Sequence, residues 1–122
     1  MDFKRVKINP NYGTHSFFGG SSCNGVRLGV SAPYITSAEG KKRVRAKFGS
    51  VGRVPSGDGK VTWECYFTHP DTPGVYFTIY DWKGAMSCGF GISNSIYQAM
   101  EKSYAEKLNR MLAELVNYAL GA

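Results

Sequence analysis

A chain of 122 residues supports one domain and is too short for two ordinary ones. With 43% hydrophobic and 14% aromatic residues it can bury a core, which excludes wholesale disorder. Fifteen basic residues against nine acidic ones give a net charge of +6, which favours anionic partners and argues against a protein that imitates DNA.

No stretch approaches the roughly 20 apolar residues that cross a bilayer, and Met1-Asp2-Phe3-Lys4-Arg5 lacks the apolar core of a secretory signal. Cys23, Cys65 and Cys88 are odd in number and show no paired spacing, so neither a disulfide scaffold nor a zinc site is expected. Reduced thiols and a cytoplasmic location fit this usage best, with Cys65 as a small buried apolar residue.

In chain order, Phe3 to Asn9 alternates and reads as an edge strand, stopped by Pro10. Residues 10–25, with Gly13, Gly19, Gly20 and Gly25 among serines and asparagines, read as loop. A short strand is expected at 26–30. Ser37 can cap a helix over 38–48, although Gly40 weakens it and the alternation of Val44, Ala46 and Phe48 also suits a strand; a short helix or turn is favoured, with the strand as its open competitor over 37–48. Residues 49–59 read as a loop.

Residues 60–69 alternate, as do 75–82, and Pro70-Asp71-Thr72-Pro73-Gly74 between them has turn chemistry; the two segments should form a hairpin. The run Val75-Tyr76-Phe77-Thr78-Ile79-Tyr80-Asp81-Trp82 is the expected central strand of a small antiparallel sheet. Ser95 and Gln98 have capping-box spacing, and no Gly or Pro interrupts the chain from there to Ala119. A single helix of about 24 residues, roughly 36 Å long, is predicted over 95–119. Its apolar stripe runs through Ile96, Met100, Tyr104, Leu108, Met111, Leu112, Leu115 and Ala119. A small sheet covers about 17–20 Å of such a helix, so the remainder is expected to be covered by further copies of the chain, as a homodimer or higher oligomer. The predicted class is α+β: one domain over 1–122, mainly sheet and loops over 1–90, then a long C-terminal amphipathic helix used for oligomerisation.

Catalytic signals are weak. His15 and His69 are the only histidines, no Ser or Cys elbow is present, and no element carries paired carboxylates. The expectation is a protein that is not an enzyme and holds no metal or cofactor. The 19–25 segment, Gly-Gly-Ser-Ser-Cys-Asn-Gly, could form a nest of N–H groups but lacks the Walker pattern. Lys41, Lys42, Arg43, Arg45 and Lys47 put five cations in seven residues, with Tyr34 and Phe48 nearby: a candidate nucleotide or nucleic-acid surface whose bland alternative is a solvated cationic face. The candidate ligand-binding set is Phe77, Tyr80, Trp82 and Phe90 for stacking, Arg27, Arg45 and Arg110 for phosphate, and Asn94 beside them. One side of the aromatic strand must face the helix, so at most half of its rings remain available.

The segments Phe48-Gly49, Gly57-Asp58-Gly59-Lys60-Val61, Trp63-Glu64 and Thr78-Ile79-Tyr80-Asp81-Trp82-Lys83 resemble, in that order, small phage-encoded proteins of unassigned function. Many of those continue with a Trp and Gly-Gly segment, where this chain has Met86-Ser87-Cys88-Gly89-Phe90-Gly91. The plan of a sheet-forming first part and a long helix in a short basic chain resembles the phage proteins that counter the Thoeris defence system. That resemblance implies a non-enzymatic oligomer in the host cytoplasm that sequesters a cyclic ADP-ribose-type signal or a cyclic oligonucleotide. The alternatives are a protein-directed inhibitor of a host nuclease complex, resembling anti-CRISPR proteins, and a basic nucleic-acid-binding module.

Overall fold

In the computed structural model, residues 2–7, 13–19, 22–23, 26–27, 30, 32–53 and 58–121 are described. The elements are β1 (Lys4–Val6), β2 (His15–Gly19), β3 (Ser22–Cys23), β4 (Val26–Arg27), α1 (Ser37–Phe48), β5 (Gly52–Arg53), β6 (Trp63–Thr68), β7 (Val75–Trp82), β8 (Ala85–Ser93), α2 (Asn94–Ala99) and α3 (Lys102–Leu120). The main sheet is antiparallel with order β1-β6-β7-β8-β2, and β5 shares the outer edge of β6 with β1. β3 and β4 form a separate two-stranded ribbon. The α+β class holds, with β7 near the centre of the sheet as its dense β-branched and aromatic composition predicts.

The hairpin between β6 and β7 turns at Pro73 and Gly74, with Gly74 at φ 82 and Val75 N–H donating to the Thr72 carbonyl at 3.2 Å. Pro followed by a positive-φ glycine is the chemistry of a type II turn. β7 and β8 are joined by the two residues Lys83 and Gly84, at φ 51 and 83, the signs that a type I′ hairpin requires.

One face of the sheet packs against α1 and α3. Trp63, Cys65 and Phe67 from β6, Val75, Phe77 and Ile79 from β7, and Met86, Cys88, Phe90 and Ile92 from β8 are buried there. The helices answer with Val44, Leu108, Leu112, Leu115, Val116, Ala119 and Leu120. Each such side chain removed from water contributes about 1.5–3 kcal/mol.

The structure settles one open expectation and corrects several others. Residues 15–19, read as loop, are strand β2, paired with β8 from His15↔Ser93 to Gly19↔Gly89. Residues 37–48, where the pattern favours helix over strand, are helix: Gly40, Val44 and Phe48 recur every four residues on the inner side. Gly40 lets α1 approach the sheet so closely that a Cβ there would lie 2.1 Å from the Met86 sulfur. The cap is Thr36, whose hydroxyl accepts from Glu39 N–H at 3.2 Å, while Ser37 points inward.

The predicted single helix over 95–119 is two. Met100 and Glu101 are extended (ψ 126 and 162), so α2 ends at Ala99 and α3 begins at Lys102. Ser95 is not the cap; β8 pairs with β2 through Ser93, and α2 starts at the next residue with no side-chain cap bond. The α2 segment is held by Asn94, and α3 must turn to lay its leucines on the core, so packing overrides an uninterrupted helical sequence. α3 is therefore about 28 Å long, and its own subunit shelters Leu108, Leu112, Leu115 and Ala119. The argument that one subunit cannot cover this stripe fails for Leu108, Leu112, Leu115 and Ala119, while Met111 is half-buried. The predicted strand residues 8–9 and 28–29, and residues 20–21 and 24–25 of the candidate nest, lie outside the described residues.

Candidate nucleic-acid interface

α1 concentrates the charge. Its 12 residues hold five basic side chains and one acidic one, a net +4 of the chain's +6. Arg43 is committed within the fold: its Nε donates to Glu39 Oε1 at 3.0 Å and its Nη1 to the Leu120 carbonyl at 2.6 Å. Lys47 lies over the Tyr118 ring at 4.9 Å. Lys41, Lys42 and Arg45 point outward, all exposed, within a sector of about 100° of the helix. Among the described residues none of these three has a carboxylate partner. Tyr34, two residues before the cap, is fully exposed at 103%.

This cationic helix is anchored by a buried aspartate. Asp81 alternates with Val75, Phe77 and Ile79 and so points to the covered face of β7. It is 2% exposed. Its carboxylate accepts from Thr62 N–H at 2.7 Å, Trp63 N–H at 3.1 Å, the Thr62 hydroxyl at 2.5 Å and the Ser37 hydroxyl at 2.9 Å. Trp63 Nε1 donates to the same Ser37 oxygen at 3.0 Å, and Ser37 N–H donates to the Gly84 carbonyl at 2.8 Å. Burial pushes the Asp81 carboxyl upward, but these hydrogen bonds outweigh it and hold the group below the usual carboxylate range. Asp81 is thus a fastening for the first turn of α1. The cue lay in the sequence: an aspartate in phase with the apolar face of a strand must be buried and satisfied.

The predicted ligand set does not meet at one place. Phe77 and Phe90 are 0% and 1% exposed and stack edge to face at 5.4 Å in the core, so neither ring is open to a ligand. Tyr80 and Trp82 lie on the other face of the sheet. Tyr80 is half-buried, and Trp82, 44% exposed, has the Lys60 ammonium 5.6 Å from its ring. Arg45 and Arg110 are exposed on the helix layer, across the sheet from Tyr80 and Trp82. Arg110 forms no ion pair with Glu106 or Glu114. Asn94 is a clamp: its carbonyl accepts from the Ser16 hydroxyl at 2.8 Å and its amide donates to the Gly13 carbonyl at 3.2 Å, tying β2 to α2. Arg27 lies in β4, and its side chain is outside the described residues. Lys60 escaped the sequence reading; it follows Gly-Asp-Gly, where Asp58 accepts its N–H at 3.1 Å and pairs with its ammonium at 3.6 Å.

The remaining reactive groups are committed elsewhere. His69 Nδ1 accepts from Asp71 N–H at 3.1 Å, and His15 Nδ1 contacts the Thr14 hydroxyl at 2.9 Å. Burial pushes the Cys65 thiol up to about 12 and the Cys88 thiol up to about 11. No group of three or more His, Cys, Asp or Glu residues able to hold a metal occurs among the described residues, and no helix among them is long and apolar enough to cross a membrane. Comparison with protein families, with curated proteins and with solved structures finds no match for this chain.

Proposed function

We propose that this chain is a binding module for the nucleic-acid backbone, and that α1 is its contact surface. The observation that carries the reading is the row Lys41, Lys42 and Arg45: exposed, without a carboxylate partner among the described residues, and held on a helix whose first turn is fastened to the central strand. An exposed ridge suits an extended polyanion. α1 is about 18 Å long, a length over which duplex DNA presents about ten phosphate charges. Tyr34, two residues before the cap of α1, adds an exposed ring on which a base can stack. Recognition of this kind is sequence-tolerant, because phosphate contacts position without specifying. Fluorescence anisotropy with labelled single- and double-stranded oligonucleotides of unrelated sequence tests it. Binding to both, weakening as salt rises, supports the reading; no binding to either at low salt overturns it.

Sequestration of a nucleotide-type signal is a second reading, supported by one observation. Trp82 and Tyr80 share the face of the sheet opposite α1 and α3, with Lys60 beside the Trp82 ring. A flat base on Trp82 with Lys60 at its phosphate would use that arrangement. Calorimetry with cyclic ADP-ribose isomers and cyclic di- and trinucleotides separates the two: saturable heat abolished by Trp82→Ala but kept by Lys41→Glu favours the small ligand.

A further inference from the structure

α3 carries a second stripe beside the one buried in the core. Tyr104, Lys107, Met111, Glu114 and Tyr118 follow one another at spacings of three, four, three and four residues, the repeat of a helix–helix seam. Leu108, Leu112 and Leu115 beside them are buried, yet none of these five is. Tyr104, Lys107 and Met111 are half-buried, Glu114 is exposed, and Tyr118 is 41% exposed. Among the described residues Lys107 and Glu114 form no ion pair.

The stripe is self-complementary when reversed. Aromatic rings stand seven residues to either side of a central methionine, and opposite charges flank it, Lys107 four residues before and Glu114 three after, within one residue of symmetric placement. We propose that two copies of the chain pair antiparallel along this stripe about Met111, with Lys107 against the partner's Glu114 and Tyr104 against the partner's Tyr118. Met111 packs on its counterpart.

The wider charge distribution selects the same orientation. α1 sits at the C-terminal end of α3, where Lys47 covers Tyr118 and Arg43 holds the Leu120 carbonyl. At the other end a shallow groove with an apolar floor of Ile96, Met100 and Tyr104 is flanked by Asp71 and Glu101. Antiparallel pairing sets the cationic end of each copy against the acidic end of the other. Parallel pairing would set α1 against α1 and Lys107 against Lys107. The two ends lie about 21 Å apart along α3, beyond the Debye length of about 8 Å at physiological salt, so the repulsion of two basic chains does not dominate at the seam. An interface confined to one helix face is small, and a dimer of micromolar stability is expected. The inference is independent of what α1 binds.

Sedimentation equilibrium with charge-reversed variants tests it. The wild-type protein at tens of micromolar is expected at twice 13.4 kDa. Lys107→Glu and Glu114→Lys each set like charges against each other twice, and each alone is expected at 13.4 kDa. An equimolar mixture pairs both contacts across a heterodimer and restores the doubled mass. Glu106→Lys, exposed on another side of α3, leaves the mass of the dimer unchanged and reports on folding. A monomeric wild type, single variants that stay dimeric, or a mixture that stays monomeric overturns the proposal.

Discussion

The Ser37 hydroxyl donates to the Asp81 carboxylate across 2.9 Å and thereby fastens the start of the cationic helix to the central strand. Asp81 receives three further hydrogen bonds from Thr62 and Trp63 and is nearly sealed from water. Asp81→Asn places an amide N–H against those donors and is expected to cost about 2–3 kcal/mol of stability, read from urea unfolding at neutral pH. The acid dependence has a definite sign. A carboxyl whose native value is lowered contributes stability that is fully present above its unfolded value and is lost as pH falls through the lowered one. Glu64 acts oppositely, because burial raises its value despite the Tyr66 hydrogen bond, and the native state gains as it is protonated. The Asp81 part is therefore the difference between wild type and Asp81→Asn, which should shrink as pH drops below 3.8, the ordinary aspartate value. A difference that stays constant there contradicts this assignment.

Cys65 and Cys88 are 2% exposed, and their thiols are held at about 12 and about 11 by burial. A thiol so protonated is a poor nucleophile at neutral pH. A thiol-specific chromogenic reagent should label both only at the rate of unfolding. Rapid labelling of two or more thiols in the native protein would show that the β6–β8 layer is open.

Lys83 occupies φ 51, a left-handed conformation that costs a side chain about 1–2 kcal/mol. Asn tolerates this region and is favoured before Gly in two-residue hairpins. Lys83→Asn keeps the backbone N–H that donates to the Lys60 carbonyl at 2.9 Å. It should raise stability by about 0.5–1 kcal/mol, measured as a higher urea midpoint. A lower midpoint would mean that the Lys83 side chain makes a contact worth more than the strain.

Much of the framework was legible in residue patterns. Alternation gave β6 and β7, turn chemistry gave their hairpin, and the leucine spacing gave the buried side of α3. β8 was harder, because Gly89 and Gly91 resemble loop residues. Yet Met86, Cys88, Phe90 and Ile92 fill one face while Ser87, Gly89, Gly91 and Ser93 fill the other. The glycines make room: the Phe17 ring lies where a Cβ on Gly91 would stand, 2.7 Å from the nearest ring atom. The break at Met100 left no local mark, since it arises from how α2 and α3 dock. For the site, the charge of α1 was visible at once, but alternation alone could not say which side of β7 was covered. Phe77 proved to be on the covered side and Trp82 on the other. Asp81 stands between Tyr80 and Trp82 of the candidate ligand-binding set, and its phase with Phe77 and Ile79 was the cue to its structural role.

The most direct test of the account is the salt dependence of oligonucleotide binding by the wild type and by Lys41→Ala/Lys42→Ala/Arg45→Ala. For duplex DNA each lost phosphate contact should flatten the slope of log K against log salt by about 0.9, so the triple variant should lose about 2.7 from the wild-type slope while keeping its fold. A wild type that binds with the same slope as the triple variant, or that does not bind at all, contradicts the assignment of α1 as the nucleic-acid surface.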